Sequence, residues 1–282
     1  MISIITHGRN DNWQGIDWRG KTYLDNIYEC LLKNLETIEK INIPYEYLIV
    51  EWCPFNDLIM NLPKFKELFE KYKNLKTIVV DQSVAIADGL KPKQYFEFFA
   101  KNVGVHQSIY DNLIMVNTDI IIYPKTMKVL VDLAKAGFDD KIIYRIIWRF
   151  HGAGPHPQEQ TGIIENNSPK NTKVTMGGAF PGDIHMTTKK GFIKYGDGYD
   201  ETNENHRTLA HTGMDSEFIL NWISNGGTQI WLNESYWHIN HHHPNPYDKG
   251  YSAQPYKNRP NWGFVDYLVT KINDQLTIVK NN

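Results

Sequence analysis

The first half of the chain sets short apolar runs against longer amphipathic ones in strict turn, an order that few architectures accept. Ile2 to Thr6 reads as a buried strand. Leu24, Ile27, Tyr28, Leu31, Leu32 and Leu35 then recur at helical spacing, predicting an amphipathic helix that ends before Asn42 and Pro44. Tyr45 to Val50 reads as a strand, Pro63 to Tyr72 as a helix, Leu75 to Val80 as a strand, Tyr95 to Tyr110 as a helix and Leu113 to Val116 as a strand. Strands alternating with helices in this way predict a parallel sheet covered by helices on both faces. Ligands of such sheets sit in the crevice beyond the strand C-terminal ends.

Polar residues gather where that crevice would lie. Thr6, His7 and Arg9 follow the first strand, Glu51 and Trp52 the second, Asp81 the third, and Asn117-Thr118-Asp119 the fourth. Any one alone says little, because strand ends turn polar wherever the chain meets water. The last set is the most pointed. It stands between the apolar runs Leu113-Ile114-Met115-Val116 and Ile120-Ile121-Ile122, so its carboxylate is delivered to the rim, where it can hold a divalent ion. The plain alternative is a strand-end turn whose Asn, Thr and Asp bond the local backbone. No G-x-G-x-x-G follows the first strand and no phosphate-loop motif occurs, which disfavours a dinucleotide site and a phosphate loop.

Composition excludes other classes. With Lys plus Arg at 30 against Asp plus Glu at 32, no overall field draws this 282-residue chain to nucleic acid or an anionic membrane. Cys30 and Cys53 are the only cysteines, so a disulfide framework is disfavoured and they read as buried apolar side chains. Met1 to Ile5 is too short and too soon followed by polar residues for a signal peptide, and no apolar run nears the roughly 20 residues of a membrane span. The expected location is cytoplasmic.

In order along the chain, Thr6-His7-Gly8-Arg9-Asn10-Asp11, Glu51, Lys101-Asn102-Val103-Gly104-Val105 and Asn117-Thr118-Asp119 resemble the nucleotide-sugar half of a GT-A glycosyltransferase. Gly177-Gly178-Ala179-Phe180, Gly196 to Glu201 and Gly213-Met214-Asp215-Ser216-Glu217-Phe218 are similar to the acceptor-side segments of family 2 enzymes and the galactosyltransferase-like group. The resemblance implies one α/β domain over 1–282, with a mostly parallel sheet flanked by helices. Within it, 1–123 would bind the donor, 124–245 the acceptor and the catalytic groups, and 246–282 would wrap the domain.

It also implies roles. Thr6, His7, Arg9, Glu51, Trp52, Asp81, Asp88, Asn102, Asn117, Thr118 and Asp119 would line the nucleotide-sugar site. Trp148, Gly177, Gly178, Phe180 and Asp183 would line the acceptor site, with Asp215 as base and Glu217 beside it. The family's D-x-D motif holds a metal on the diphosphate, but here its first acid is Asn117. Asp119 becomes the chief ligand of Mn²⁺ or Mg²⁺, with His238 as its helper by position. The donor would be a nucleoside diphosphate sugar, UDP-sugar first, and the acceptor a glycan or other hydroxyl. Glu51 and Asp81 would read uracil and ribose, or a guanine edge.

Several of these residues have a simpler reading. Phe218, Ile219 and Trp222 recur at helical spacing, so Asp215 lies near a helix N-terminus, where backbone N–H groups stabilise a carboxylate, with Thr212 as cap. His238, His241, His242 and His243 follow a strand-like piece, Thr228 to Leu232, and neighbours on a strand point to opposite faces, so one ligand is expected from the four. Gly152 to Lys173 reads as a long binding loop or lid, Lys91 to Lys93 as cations for the leaving diphosphate, and Asn261 to Ile272 as a closing helix. Trp148, Trp231, Tyr236 and Trp237 are stacking candidates that serve equally as core. Two rivals use the same rim: a nucleotidyltransferase or metal-dependent hydrolase, and a non-catalytic carbohydrate-binding protein.

Overall fold

The computed structural model describes residues 1–11, 20–87, 96–152, 172–176, 183–199, 214–239 and 268–281. The alternation in the sequence becomes β1 (Ile2–Gly8), α1 (Tyr23–Ile41), β2 (Tyr45–Trp52), α2 (Pro63–Lys71), β3 (Leu75–Val80), α3 (Gln82–Ala87), α4 (Glu97–Gln107) and β4 (Asn112–Val116). After β5 (Ile120–Ile122) and α5 (Pro124–Ala136) come β6 (Ile142–Gly152), β7 (Thr172–Met176), β8 (Ile184–Thr188), the short α6 (Lys189–Gly191), α7 (Met214–Ser224), β9 (Thr228–Ile239), β10 (Leu268–Asn273) and β11 (Leu276–Lys280).

The strands form one sheet in the order β10-β11-β3-β2-β1-β4-β8-β6-β9-β5, with β7 added on β6. From β11 to β4 every pair is parallel. The second half adds antiparallel pairs β4·β8, β6·β8, β6·β7 and β5·β9 around the parallel β6·β9 pair. This is an α/β arrangement of one sheet flanked by helices, as the resemblance implies.

Strand alternation sets two main core clusters on opposite faces of the sheet, with a smaller third around Cys30, Ile121, Tyr123, Phe150, Trp237 and Ile239. Tyr47 and Ile49 of β2 face one cluster with the apolar stripes of α1, α2 and α5. Leu48 and Val50 face the other, with Phe98, Phe99 and Val103 of α4 and Phe218, Ile219 and Trp222 of α7. Helix α1 begins at a capping box, Thr22 with Asp25, and stops at Asn42, which takes the left-handed conformation at φ 53°. Gly104 lets α4 lie close on the sheet, since a Cβ there would stand 2.4 Å from Ile5 Cγ2.

Only Asn117, Thr118 and Asp119 separate β4 from β5, yet three strands lie between them in the sheet. Four strand spacings in a flat sheet span about 19 Å. The chain from Val116 to Ile120 reaches about 14 Å. The sheet therefore curls, and the turn at Asn117 to Asp119 closes over its second half.

The chain end departs from expectation. Leu268 to Ile272, read as part of a closing helix, belongs to β10, which pairs antiparallel with β11 across a turn at Asp274. The stretch Leu268-Val269-Thr270-Lys271-Ile272 is rich in β-branched residues, and β11 finds the parallel edge of β3. Residues 261–267 lie outside the described residues, as do most of the loop from Gly152 to Lys173, Lys91 to Lys93, Thr212 and His241 to His243.

Glu51 of β2 is fully buried, and both its oxygens accept the Ile59 N–H, at 3.0 and 3.1 Å. Burial pushes its carboxyl up to about 8, against the opposing pull of that hydrogen bond. Between its unfolded value near 4.5 and about 8 the native state keeps a proton that the unfolded chain releases, so Glu51 lowers stability as pH rises through this window. Replacing it with the neutral, similarly shaped Gln removes that term. Thermal unfolding of wild type and Glu51→Gln at about pH 5, 6.5 and 8 is expected to show the variant gaining on wild type as pH rises; a constant difference would refute a buried, proton-retaining carboxyl.

Candidate functional site

The curled sheet brings the end of β9 against the β4–β5 turn. Ile120 pairs with His238 across β5·β9, and the Ile239 N–H donates to the Asp119 carbonyl at 2.8 Å. This ladder sets Asp119 Oδ2 3.2 Å from His238 Nε2, with both side chains almost wholly buried. The turn itself is tied by Ile120 N–H to Asn117 O at 3.3 Å and by Asn117 N–H to Asp183 O at 3.0 Å.

Asp119 and His238 fit a divalent ion in kind and spacing. A carboxylate oxygen and an imidazole nitrogen suit Mn²⁺. Their 3.2 Å separation is close to the cis edge of an octahedron, about 3 Å for bonds of about 2.1 Å. Among the described residues no group of three or more His, Cys, Asp or Glu side chains stands ready to hold a metal, so the pair is a partial ligand set.

Helix α4 supplies the next wall. Lys101 is fully buried, donates to Asn117 Oδ1 at 2.6 Å, and lies over the rings of Phe98 and Tyr199 at 4.9 and 5.9 Å. Glu97 Oε2 is 3.9 Å from His7 Nε2. Burial drives His7 down to about 4, with Glu97 opposing the fall, so the imidazole is neutral at ordinary pH. Asn102 exchanges two hydrogen bonds with the Tyr199 backbone, at 2.9 and 3.0 Å, and so pins the segment that brings Tyr199 to His185, 3.1 Å from hydroxyl to Nδ1. Burial holds His185 well below its usual value.

Asp215 stands in the first turn of α7, among these groups. Its Oδ1 is buried and has no hydrogen-bond partner among the described residues. Burial pushes the carboxyl up to about 7; Lys101 and Arg145 pull it down, while Glu97 and Asp183 push it further up. Glu217 is two residues on, and residues two apart on a helix do not share a face. Phe218 locks the helix inward by stacking on His185, with ring centroids 5.7 Å apart.

A buried ion pair supports the other side. Arg149 of β6 is 3.1 Å from Asp183 Oδ2, which also accepts the Tyr236 hydroxyl at 2.7 Å. Arg145 lies 4.4 Å over the Trp231 ring and donates to Gln229 Oε1 at 3.3 Å. Trp148 donates from Nε1 to Asn233 Oδ1 at 2.8 Å.

The remaining candidates divide. Thr6 and Thr118 are buried at the rim, and Thr6 Oγ1 has no hydrogen-bond partner among the described residues. Trp52 is core, edge-on to Phe96 and Phe99. Asp81 caps α3 by accepting the Ser83 N–H at 2.9 Å. Arg9 pairs with Asp11 at 2.6 Å and lies 4.5 Å over Phe55. Asp88, Gly177, Gly178 and Phe180 lie outside the described residues. Glu97, Arg145 and His185 join the site unannounced by any motif, and Lys101, which opens the segment Lys101 to Val105, joins it without having been assigned a role. A lysine within Phe98-Phe99-Ala100-Lys101, on the inward face of a helix, was the one available signal.

No family model matches the sequence, and no curated protein matches it. Among solved structures the chain is similar to S. aureus TarS, at 16% identity and a TM-score of 0.48, over 85% of this chain and 36% of that one. S. aureus TarS 1–349 is similar at 16% identity and a TM-score of 0.48, over 84% of this chain and 60% of that one. The same TarS 1–349 in complex with UDP gives 15% identity and a TM-score of 0.47, over 85% of this chain and 60% of that one. This chain thus spans between about a third and three-fifths of the length of those chains. No helix among the described residues is long and apolar enough to cross a membrane.

The Arg149, Asp183 and Tyr236 cluster gives a direct test of packing. Removing the acid takes an ion-pair partner from a buried guanidinium and an acceptor from a phenol, so Asp183→Ala is expected to lose about 3 kcal/mol, and Tyr236→Phe about 1 kcal/mol. Urea unfolding of the two variants checks the order; equal, small losses would mean that the pair is not buried in solution.

Proposed function

We propose that this chain is a glycosyltransferase that moves a sugar from a nucleoside diphosphate sugar, UDP-sugar first, to an acceptor hydroxyl, with inversion and with Asp215 as the base. The observation that carries the reading is Asp215 itself: a half-buried side chain whose Oδ1 is buried and has no hydrogen-bond partner among the described residues, its carboxyl raised by desolvation to about 7 against the pull of Lys101 and Arg145. A general base works best when its pKa lies near the working pH. Asp215 has that property by burial.

In the reaction Asp215 takes the acceptor hydroxyl proton as that oxygen bonds to the anomeric carbon. The bond from this carbon to the diphosphate oxygen breaks on the opposite side, and the nucleoside diphosphate leaves with the electron pair. Asp119 and His238 would hold Mn²⁺ or Mg²⁺, which when bound supplies positive charge to the departing diphosphate. Neutral His7 and His185 add no charge of their own, and Thr6 Oγ1 offers a buried hydroxyl to the donor.

Asp215→Asn is expected to lose transfer by two or more orders of magnitude, about the range for a lost general base, while UDP binding by calorimetry stays near wild type; retained turnover would remove Asp215 from the mechanism. Because only the ionised carboxylate accepts a proton, kcat/KM in wild type should climb with pH and level off above about 7. A labelled UDP-sugar separates the rivals, since a hydrolase releases free sugar whether or not acceptor is present. A purely binding protein, the reading that Asn117 favours, turns over no donor.

A further inference from the structure

The motif position that departs from two acids is also where a buried cation sits. Asn117 Oδ1 does not stand open toward the Asp119–His238 pair as a spare ligand; it accepts Lys101 Nζ at 2.6 Å, the short length of a charge-assisted hydrogen bond. Phe98 and Tyr199 present their ring faces to the same ammonium. Such rings favour a cation, so the pocket is shaped for Lys101 in its charged form.

The field of this ammonium is felt across the site. Burial does most to hold His7 and His185 down, and the Lys101 ammonium adds to it and draws Asp215 down against burial. Its charge thus reaches groups on β1, β8 and α7 as well as the β4–β5 turn. Relative to a motif with two carboxylates, the turn has lost one negative charge through Asn117, and α4 has set one positive charge against it. Both changes favour an incoming anion.

We propose that Lys101, through its bond to Asn117, supplies from within the protein part of the positive charge that a two-acid motif would recruit as metal, so that a nucleoside diphosphate is held with a metal-independent share of its affinity. The inference rests on the donor-site reading above and concerns how that site binds, not whether it transfers. Asn at position 117 is then matched to Lys101: an acid there would pair with the ammonium and cancel it, while offering a second ligand to a cation.

Calorimetric titration of the full chain with UDP, in EDTA and in Mn²⁺, tests this. Wild type is expected to bind UDP in EDTA, and Lys101→Met to weaken that binding about tenfold or more, as for loss of a hydrogen bond to a charged group. Asn117→Asp keeps every group of α4 in place and guards against a misfolded Lys101→Met. It should also weaken binding in EDTA, yet recover most of it in Mn²⁺. Binding that vanishes from wild type in EDTA but is present in Mn²⁺ would overturn the inference and leave the donor site standing, as would unchanged EDTA affinity in both variants. No UDP or GDP binding by folded wild type in either buffer would instead overturn the donor-site reading, and this inference with it.

Discussion

The site depends on the shortness of the β4–β5 turn. Three residues cannot carry the chain across four flat strand spacings, so the sheet must curl until β5 meets β9. Everything chemical follows from that closure. It sets Asp119 against His238, ties Asn117 to the Asp183 backbone, and puts Asn117 within reach of a lysine on the helix that covers the opposite half of the sheet. A longer loop would leave the same residues in the same order without bringing them together.

Closure also removes water, and the ionisable groups register its removal in opposite directions. Burial raises the carboxyls of Glu51 and Asp215 and lowers the imidazoles of His7 and His185, since in each case the charged form is the one that loses hydration. The outcome is an interior in which several ionisable groups stand neutral or nearly so, while Lys101, Arg145 and Arg149 keep ring faces or acids beside them. Glu51 and Asp215 differ in one respect that matters for chemistry. Both oxygens of Glu51 are spent on the Ile59 N–H, whereas Asp215 keeps a buried oxygen without a hydrogen bond among the described residues.

The parallel half of the sheet was legible because local signals agreed: apolar runs of strand length, stripes at helical spacing, and Asn42 and Pro44 as stops. The third and fourth strands ended before Asp81 and Asn117 where the pattern put them, while β1 and β2 ran two residues further, to Gly8 and Trp52, because their pairing continues through Thr6, His7 and Glu51. The second half was less so. Strand β9 runs on from Leu232 to Ile239, through Asn233, Glu234 and Ser235, a polar stretch that reads as a break and is held by pairing with β6. The first strand of the C-terminal hairpin, Leu268 to Ile272, reads as the end of a helix until β11, held on the edge of β3, supplies its partner. Asp119 with His238 was reachable from position in the chain. The role of Lys101 was not, although its segment was singled out, and Arg145 and His185 were not at all, because a lone polar residue in an apolar stretch carries no mark of what faces it across a sheet whose register only tertiary pairing sets.

Asn34 of α1 has a consequence beyond helix packing. Its amide donates to the Ile120 carbonyl at 3.0 Å and accepts the Ile122 N–H at 2.8 Å, so one side chain imitates a further strand along β5. The last rung of the sheet is thereby occupied. At the other end β10 has no strand on its outer side among the described residues, exposes Leu268, Val269 and Ile272, and has Lys271 among them as its charge. Among the described residues β10 is thus an outer strand that could take a strand from a neighbouring molecule, and it lies far along the sheet from the turn that assembles the site.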